Sequence, residues 1–239
     1  MSVKVYYRHL VTLLLKYNIL NETTFNLFHP PKIEAELFHL NKLVKKQSVC
    51  IDIGANVGMY TCKLSNLVGK NGQVIAFEPS LHAFKFLEKN VNGLVRKLKN
   101  VKIFNLAIGN KPDFVSLVYF YEKGGRISDP LTRIGYEHGE IRMTTLDSVI
   151  PELGLDHVDF IKIDTEGYEF NVISGAIETI SKHHPAILME MDDVWLKRYD
   201  SSHHHIMKLL GKYGYKAFSL NDGGFQELNS TFQGNVLFR

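Results

Sequence analysis

Cysteine is scarce in this chain. Cys50 and Cys62 are the two present in 239 residues, too few for a disulfide framework and without the paired spacing of a zinc site. Cys50 falls in an apolar run and Cys62 in the helix expected after it, so both read as buried and reduced, which fits a cytoplasmic protein. An excess of charge of one sign is also missing: 28 Lys and Arg stand against 25 Asp and Glu, a formal net charge of +3. The short basic runs at 42–46 and 96–99 read as solvated faces, and no element for reading nucleic acid accompanies them, so no nucleic-acid partner is expected. Long apolar runs are absent too. The most apolar stretch, 3–20, is interrupted by Lys4, Arg8, His9 and Lys16, which leaves its core too short for a transmembrane segment. It reads as an amphipathic helix that packs on the domain or forms a homo-oligomer contact, with peripheral membrane attachment the lesser alternative. With 45% hydrophobic and 22% charged residues, disorder and fibrous folds are excluded, and the length suits one sizeable α/β domain.

What is present is concentrated first at 49–60, V-C-I-D-I-G-A-N-V-G-M-Y. Val49, Cys50, Ile51 and Ile53 form an apolar run expected to be a buried central strand. Gly54 and Gly58 bracket a turn where backbone must come close to a ligand before a helix starts. Asp52 and Asn56 add polar groups there. A second apolar run, 73–77, ends in Glu78, whose carboxylate can accept both hydroxyls of a ribose. Strand, glycine loop, helix, strand and acid in this order indicate an adenosine-type ligand. A dinucleotide usually requires G-x-G-x-x-G, whose glycines admit a pyrophosphate to the helix N-terminus. Here Ala55 and Asn56 stand where the middle glycine would be. S-adenosylmethionine has no pyrophosphate and brings an ammonium and a carboxylate, which Asp52 and Asn56 can help to meet. The loop therefore favours it over a nicotinamide or flavin dinucleotide.

Hydrophobic periodicity predicts strand 49–53, helix 59–67, strand 73–77, helix 81–91 and strand 101–106. This alternation implies parallel strands covered by helices on both faces. A β-rich insertion at about 112–146 follows, with strands at 114–121 and 140–146. Alternation resumes with strand 158–163, helix 168–180, strand 186–190, helix 203–212 and strands 215–220 and 235–239, an antiparallel end joined through turn residues 221–224. His29, Pro30 and Pro31 divide the chain into an N-terminal amphipathic helix and linker, 1–31, and a domain at 32–239. His203, His204 and His205 point in different directions from a helix start and read as solvated or capping residues.

Five segments sharpen the picture: D-I-G-A-N-V-G-M-Y-T at 52–61, V-I-A-F-E-P at 74–79, N-L-A-I-G at 105–109, T-L-D-S at 145–148 and F-I-K-I-D-T-E-G-Y-E at 160–169. In this order they resemble the FkbM family of S-adenosylmethionine-dependent methyltransferases, from about residue 34 to the C-terminus. The resemblance implies a Rossmann-like class I methyltransferase fold: a seven-stranded, mostly parallel sheet with helices on both faces and an antiparallel last strand. It also implies O-methylation of a sugar, glycan or natural-product hydroxyl. It places the adenine near Asn105, Ala107 and Ile108, and adds Glu34, which precedes the first strand, to the donor site.

Ligands of open α/β sheets bind beyond the carboxyl ends of the strands, which singles out Asp52, Glu78, Asn105, Asp164 and Glu190. Gly54, Asn56, Gly58 and Pro79 complete the donor-site candidates. The reacting centre is expected at 162–167, K-I-D-T-E-G, where Lys162 and Asp164 share a strand face. Asp164 is positioned to neutralise the sulfonium and to receive a proton from an acceptor hydroxyl. An unperturbed Asp, with a pKa of about 3.9, is a weak base, so burial or a neighbouring acid such as Glu190 has to raise it. Glu166 has a second reading as a helix N-terminal acid, as does Glu169, and Lys162 orders the acids through an ion pair. The acid cluster permits a divalent metal, but its spacing matches no ligand motif and none is predicted. Arg126, Arg133, Tyr136, Trp195 and Tyr199 are candidates for choosing the small-molecule or glycan acceptor. Two other readings stand: a dinucleotide-binding oxidoreductase, and a non-catalytic methyltransferase-like assembly protein.

Overall fold

The computed structural model describes residues 36–93, 97–118, 133–134, 141–221, 224–228 and 232–239. The expected helix at 3–20, Glu34, Arg126 and Tyr136 lie outside them, and Arg133 is described in its backbone alone. The described residues up to Asn105 form one compact unit, and those from Leu106 onward a second.

In the first unit, β1 (Val49–Ile53) is buried along all five residues, as a central strand must be when both its faces are covered. It pairs in parallel with β2 (Gln73–Phe77), Val49 opposite Gln73, and β2 pairs in parallel with β3 (Val101–Phe104). The crossovers that parallel pairing demands are the helices Met59–Val68 and Leu81–Asn92. The second is capped by Ser80, whose hydroxyl accepts from the Ala83 amide at 3.3 Å, and it buries Leu87, Asn90 and Val91, a spacing of three and four residues. Leu87 and Val91 join Ala55, Cys62, Ala76 and Leu98 in one core cluster, where each large aliphatic contributes about 1.5–3 kcal/mol by burial. Both cysteines are free and buried.

The second unit begins with β4 (Ala107–Ile108), β5 (Asp113–Val115), β6 (Leu117–Val118), β7 (Arg133–Ile134) and β8 (Ile141–Thr144). β8 lies between β4, its parallel neighbour, and β5, its antiparallel one, and β6 and β7 form an antiparallel ribbon. Then come β9 (Phe160–Ile163), β10 (Ala186–Met191), β11 (Ala217–Asn221), β12 (Gly224–Glu227) and β13 (Gly234–Phe238), in the spatial order β9-β10-β13-β11-β12. β9 and β10 are parallel, and β13 runs antiparallel to both β10 and β11.

Several elements depart from the sequence expectation for local reasons. The segment T-L-D-S starts a helix, Leu146–Glu152, rather than ending a strand, because Thr145 caps it by accepting from the Ser148 amide at 3.1 Å. The carboxylate of Asp147 accepts from the amides of Glu178 and Thr179 at 3.0 and 2.8 Å, anchoring the start of helix Ile177–His183. The single helix expected over 168–180 is two, Glu169–Ser174 and Ile177–His183. The break falls at Gly175, where a Cβ would lie 2.0 Å from the Gly109 carbonyl oxygen. β12 adds a hairpin strand beyond the expected turn at 221–224. His203, read with its neighbours as solvated or capping, is 3% exposed. Among the described residues no helix is long and apolar enough to cross a membrane.

Candidate active site

The first unit turns its glycine loop through three left-handed residues, Gly54 (φ 79°), Asn56 (φ 52°) and Gly58 (φ 93°). The amides of Gly54 and Ala55 both donate to the Phe77 carbonyl at 3.0 Å, tying the loop to the end of β2. Ala55, where a dinucleotide loop would have its middle glycine, is 5% exposed and packs into the core cluster. Its methyl anchors the loop from beneath.

Glu78 organises this end of the unit. At 5% exposed, its two carboxylate oxygens accept from different loops: Oε2 from the Asn56 amide and Oε1 from the Ser80 amide, each at 2.7 Å. These are charge-assisted bonds. A carboxylate has about four lone-pair sites, so two amides do not exhaust it. Asn105 donates from Nδ2 to the carbonyls of Glu78 and Pro79 at 2.8 and 2.9 Å, so its amide clamps the Glu-Pro turn. Asp52 is 1% exposed, and its Oδ2 accepts from the Thr61 hydroxyl at 2.5 Å, joining the end of β1 to the helix that follows the loop. Sequence reasoning missed Asn90, fully buried, whose Nδ2 donates to the Val57 carbonyl at 2.8 Å. The available signal was a polar residue on the apolar stripe of its helix. Ala107, named with this group, lies in the second unit, 2% exposed within β4.

The second unit gathers the acids. Lys162 is 1% exposed; its Nζ donates to Asn235 Oδ1 at 2.9 Å and stands 3.8 Å from Asp164 Oδ2. Asp164 is hydrogen-bonded to Glu190, whose carboxyl is pushed up to about 9, first by burial and then by the Asp164 charge, with Lys162 pulling the other way and Glu166 adding repulsion. The carboxyl that is raised is Glu190, which lies beside Asp164, the base of the sequence reading. Glu169, 2% exposed, accepts through Oε1 from the Thr165 amide, the Thr165 hydroxyl and the Gly167 amide at 2.9, 3.0 and 3.1 Å. Burial holds its carboxyl above the usual range against the lowering effect of those bonds. Glu166 has φ 55°, so the loop turns sharply at the residue the sequence reading counted among the catalytic candidates.

The loop then passes close under the segment after β10. Gly167 has φ 108°, and a Cβ there would lie 2.4 Å from the Trp195 carbonyl oxygen and 2.7 Å from its carbon. Both atoms are backbone and cannot swing aside. Tyr168 meets Tyr199 edge to face at 5.0 Å, and the Arg198 guanidinium lies 3.7 Å above the Trp195 ring. Asp192 caps helix Asp193–Leu196 through the Val194 amide at 2.7 Å and accepts from Gln233 Nε2 at 2.8 Å. Among the described residues no three His, Cys, Asp or Glu side chains converge as metal ligands would. Gly167→Ala is expected to combine left-handed strain of about 1–2 kcal/mol with that backbone clash. The expected result is a fall in thermal midpoint of at least 5 °C; an unchanged melting curve would show that the loop moves freely from the Trp195 backbone.

The family model described as the methyltransferase FkbM domain matches residues 52–217. The chain is 28% identical over 155 residues to the 2-O-methyltransferase NoeI of Sinorhizobium fredii, covering 59% of this chain and 62% of that protein. It is 24% identical over 182 residues to the AMB antimetabolite synthetase AmbE of Pseudomonas aeruginosa, covering 61% of this chain and 8% of that protein. The chain thus spans less than two thirds of the length of either relative. A crystal structure of methyltransferase FkbM from Methylobacillus flagellatus superposes with a TM-score of 0.51 at 17% identity, covering 81% of this chain and 44% of that one, which shows the shared fold. With a family match over more than half its length, carrying both the Glu78 and the Asp164 segments, the chain belongs to the FkbM methyltransferase family.

Proposed function

We propose that the protein is an O-methyltransferase that methylates a hydroxyl of a saccharide or natural product. The observation that carries this reading is the carboxyl pair Asp164–Glu190, hydrogen-bonded, partly buried and backed by the Lys162 ammonium. A neutral alcohol is a poor nucleophile, and a positioned base contributes about 10²–10⁴ in rate. An amine or a thiolate would need that base far less. NoeI, a 2-O-methyltransferase by name, supports the choice of oxygen.

The residues of the first unit fit S-adenosylmethionine. Glu78 suits a ribose diol, the loop of Gly54, Asn56 and Gly58 suits the amino-acid portion, and Pro79 and Asn105 bound the adenine side. Ala55, packed into the core rather than leaving an open backbone cradle, argues against a pyrophosphate. When bound, S-adenosylmethionine supplies a methyl group activated by a sulfonium. Asp164 receives the proton of the acceptor hydroxyl. Glu190 keeps its own proton and orients Asp164 through their hydrogen bond, while Lys162 balances the charge. Asp52 holds the loop through Thr61. Trp195 and Tyr199 offer aromatic faces to a sugar.

The test has two parts. Calorimetry should find S-adenosylhomocysteine binding at least 100-fold tighter than NADH, and mass spectrometry against a panel of glycans and small hydroxyl compounds should find S-adenosylhomocysteine with a methyl ether product. Selective binding of the dinucleotide, or methylation at nitrogen, sulfur or carbon alone, would overturn the reading.

A further inference from the structure

Asn235 has no part in the chemistry above, yet it closes a row of polar groups across three strands. β9 and β10 are in parallel register with Leu188 opposite Lys162 and Met189 opposite Ile163, so one residue further on Glu190 stands beside Asp164. In the antiparallel pair of β10 with β13, Glu190 is opposite Asn235. Asp164, Glu190 and Asn235 therefore lie side by side, at strand spacings of about 4.8 Å. Lys162 starts two residues before Asp164 on the same face, and its ammonium reaches past β10 to Asn235. Because an ammonium has no acceptor, the 2.9 Å contact fixes the Asn235 amide with Oδ1 toward Lys162.

We propose that Asn235 is a positioning residue that holds the Lys162 ammonium off the carboxyl pair, so that Asp164 bears the negative charge and Glu190 the proton. The role in catalysis rests on the reading of Asp164–Glu190 as the proton-transfer pair; the charge arrangement does not. Among the described residues, the groups facing Glu190 are Asp164 and Glu166 from the end of β9, Lys162 from β9 itself and the neutral Asn235 from β13. Among the described residues the Lys162 ammonium is the cation acting on Glu190, too little to compensate a second full negative charge beside Asp164. Asn235 is 9% exposed and Lys162 1%, so the ammonium cannot replace the amide oxygen with bulk water. The ammonium stands 2.9 Å from the amide oxygen and 3.8 Å from Asp164 Oδ2, so Asn235 is the nearer of the two partners. An alcohol proton then has a carboxylate to go to.

The two ends of this device move the titration in opposite directions. Protein carrying ¹³C at the Glu side-chain carboxyl is titrated by NMR, with the Glu190 resonance identified by its absence in Glu190→Gln. Asn235→Leu, similar in size and without an acceptor, releases the ammonium toward the carboxyl pair, and the Glu190 midpoint should fall by about one pH unit, a tenfold change in proton affinity. Lys162→Met removes the cation, and the midpoint should rise by at least as much. Asn235→Ser retains an acceptor oxygen and should restore most of the wild-type midpoint. If Asn235→Leu does not fold, Asn235→Ala against Asn235→Ser carries the same comparison. An unmoved midpoint in the folded acceptor-less variant, or one that rises, overturns the proposal. No acceptor substrate enters the titration. Midpoints that move as expected in a protein that methylates no hydroxyl would leave the charge arrangement standing and remove the O-methyltransferase reading.

Discussion

Glu78→Ala is expected to weaken S-adenosylhomocysteine binding by about 100-fold, or about 2.7 kcal/mol, the largest loss from any single change in the first unit. Part of that loss is direct. A carboxylate accepting two ribose hydroxyls forms charge-assisted bonds, and water makes up part of their worth once the side chain is removed. The rest is architectural, because Glu78 is also the acceptor for the Asn56 and Ser80 amides. One of these lies inside the glycine loop and the other caps the entry to helix Leu81–Asn92. Removing the side chain orphans two donors, at about 1–3 kcal/mol for each that stays buried, so stability should fall by about 3 kcal/mol and the thermal midpoint by roughly 6–12 °C. Glu78→Gln separates the contributions. Its single carbonyl oxygen can serve one amide, and its NH₂ faces the other donor, so affinity should drop about tenfold even though the shape is kept. Calorimetry with S-adenosylhomocysteine, paired with a melting curve for each variant, measures both. Full affinity in a folded Glu78→Ala protein would remove Glu78 from the donor site.

The two loops that Glu78 ties together show where sequence reasoning reached and where it stopped. An apolar run, a glycine turn and an acid after the next strand are properties of consecutive residues, and β1, β2 and both flanking helices fall where the periodicity puts them. Which atoms Glu78 holds in the fold depends on the Asn56 amide, 22 residues away, and nothing in the local pattern specifies that contact. Asn105 is a similar case: as a strand-end residue it reads as an adenine neighbour, but the local pattern does not say that its amide also clamps the Glu78-Pro79 turn. The second unit was less legible because its turns are set by close approach of distant backbone. Gly175 meets the Gly109 carbonyl and Gly167 the Trp195 carbonyl. Both glycines are visible in the sequence, but the reason that each must be glycine lies elsewhere in the chain. Asp147 and Asn235 went unremarked for the same reason: one caps a helix that starts thirty residues later, and the other meets Lys162 from a strand at the far end of the chain.

Asp164→Asn should reduce turnover by about 10²–10⁴, the contribution of a positioned general base, while S-adenosylhomocysteine affinity stays within about twofold. Asparagine preserves the shape and a hydrogen bond with Glu190 but cannot accept a proton at neutral pH. Glu190→Gln should act differently. Glu190 holds a proton up to about pH 9, so it serves as a donor that orients Asp164, and glutamine can still donate. Turnover at pH 7 should fall no more than about tenfold. Wild-type turnover should decline above about pH 9 as Glu190 ionises beside Asp164, and that decline should vanish in Glu190→Gln. Stability follows the same proton. In the folded chain Glu190 binds it more tightly than in the unfolded chain, whose carboxyl has the ordinary value of 4.5, so the added stability is complete below that value and is lost as pH rises toward 9. Glu190→Gln should flatten this dependence and raise the melting temperature relative to wild type on the alkaline side. A thousandfold loss in Glu190→Gln at pH 7, with Asp164→Asn nearly fully active, would reverse the assignment and make Glu190 the base. Equal, normal turnover in both would remove the pair from the chemistry and leave general-base catalysis without a residue in the second unit.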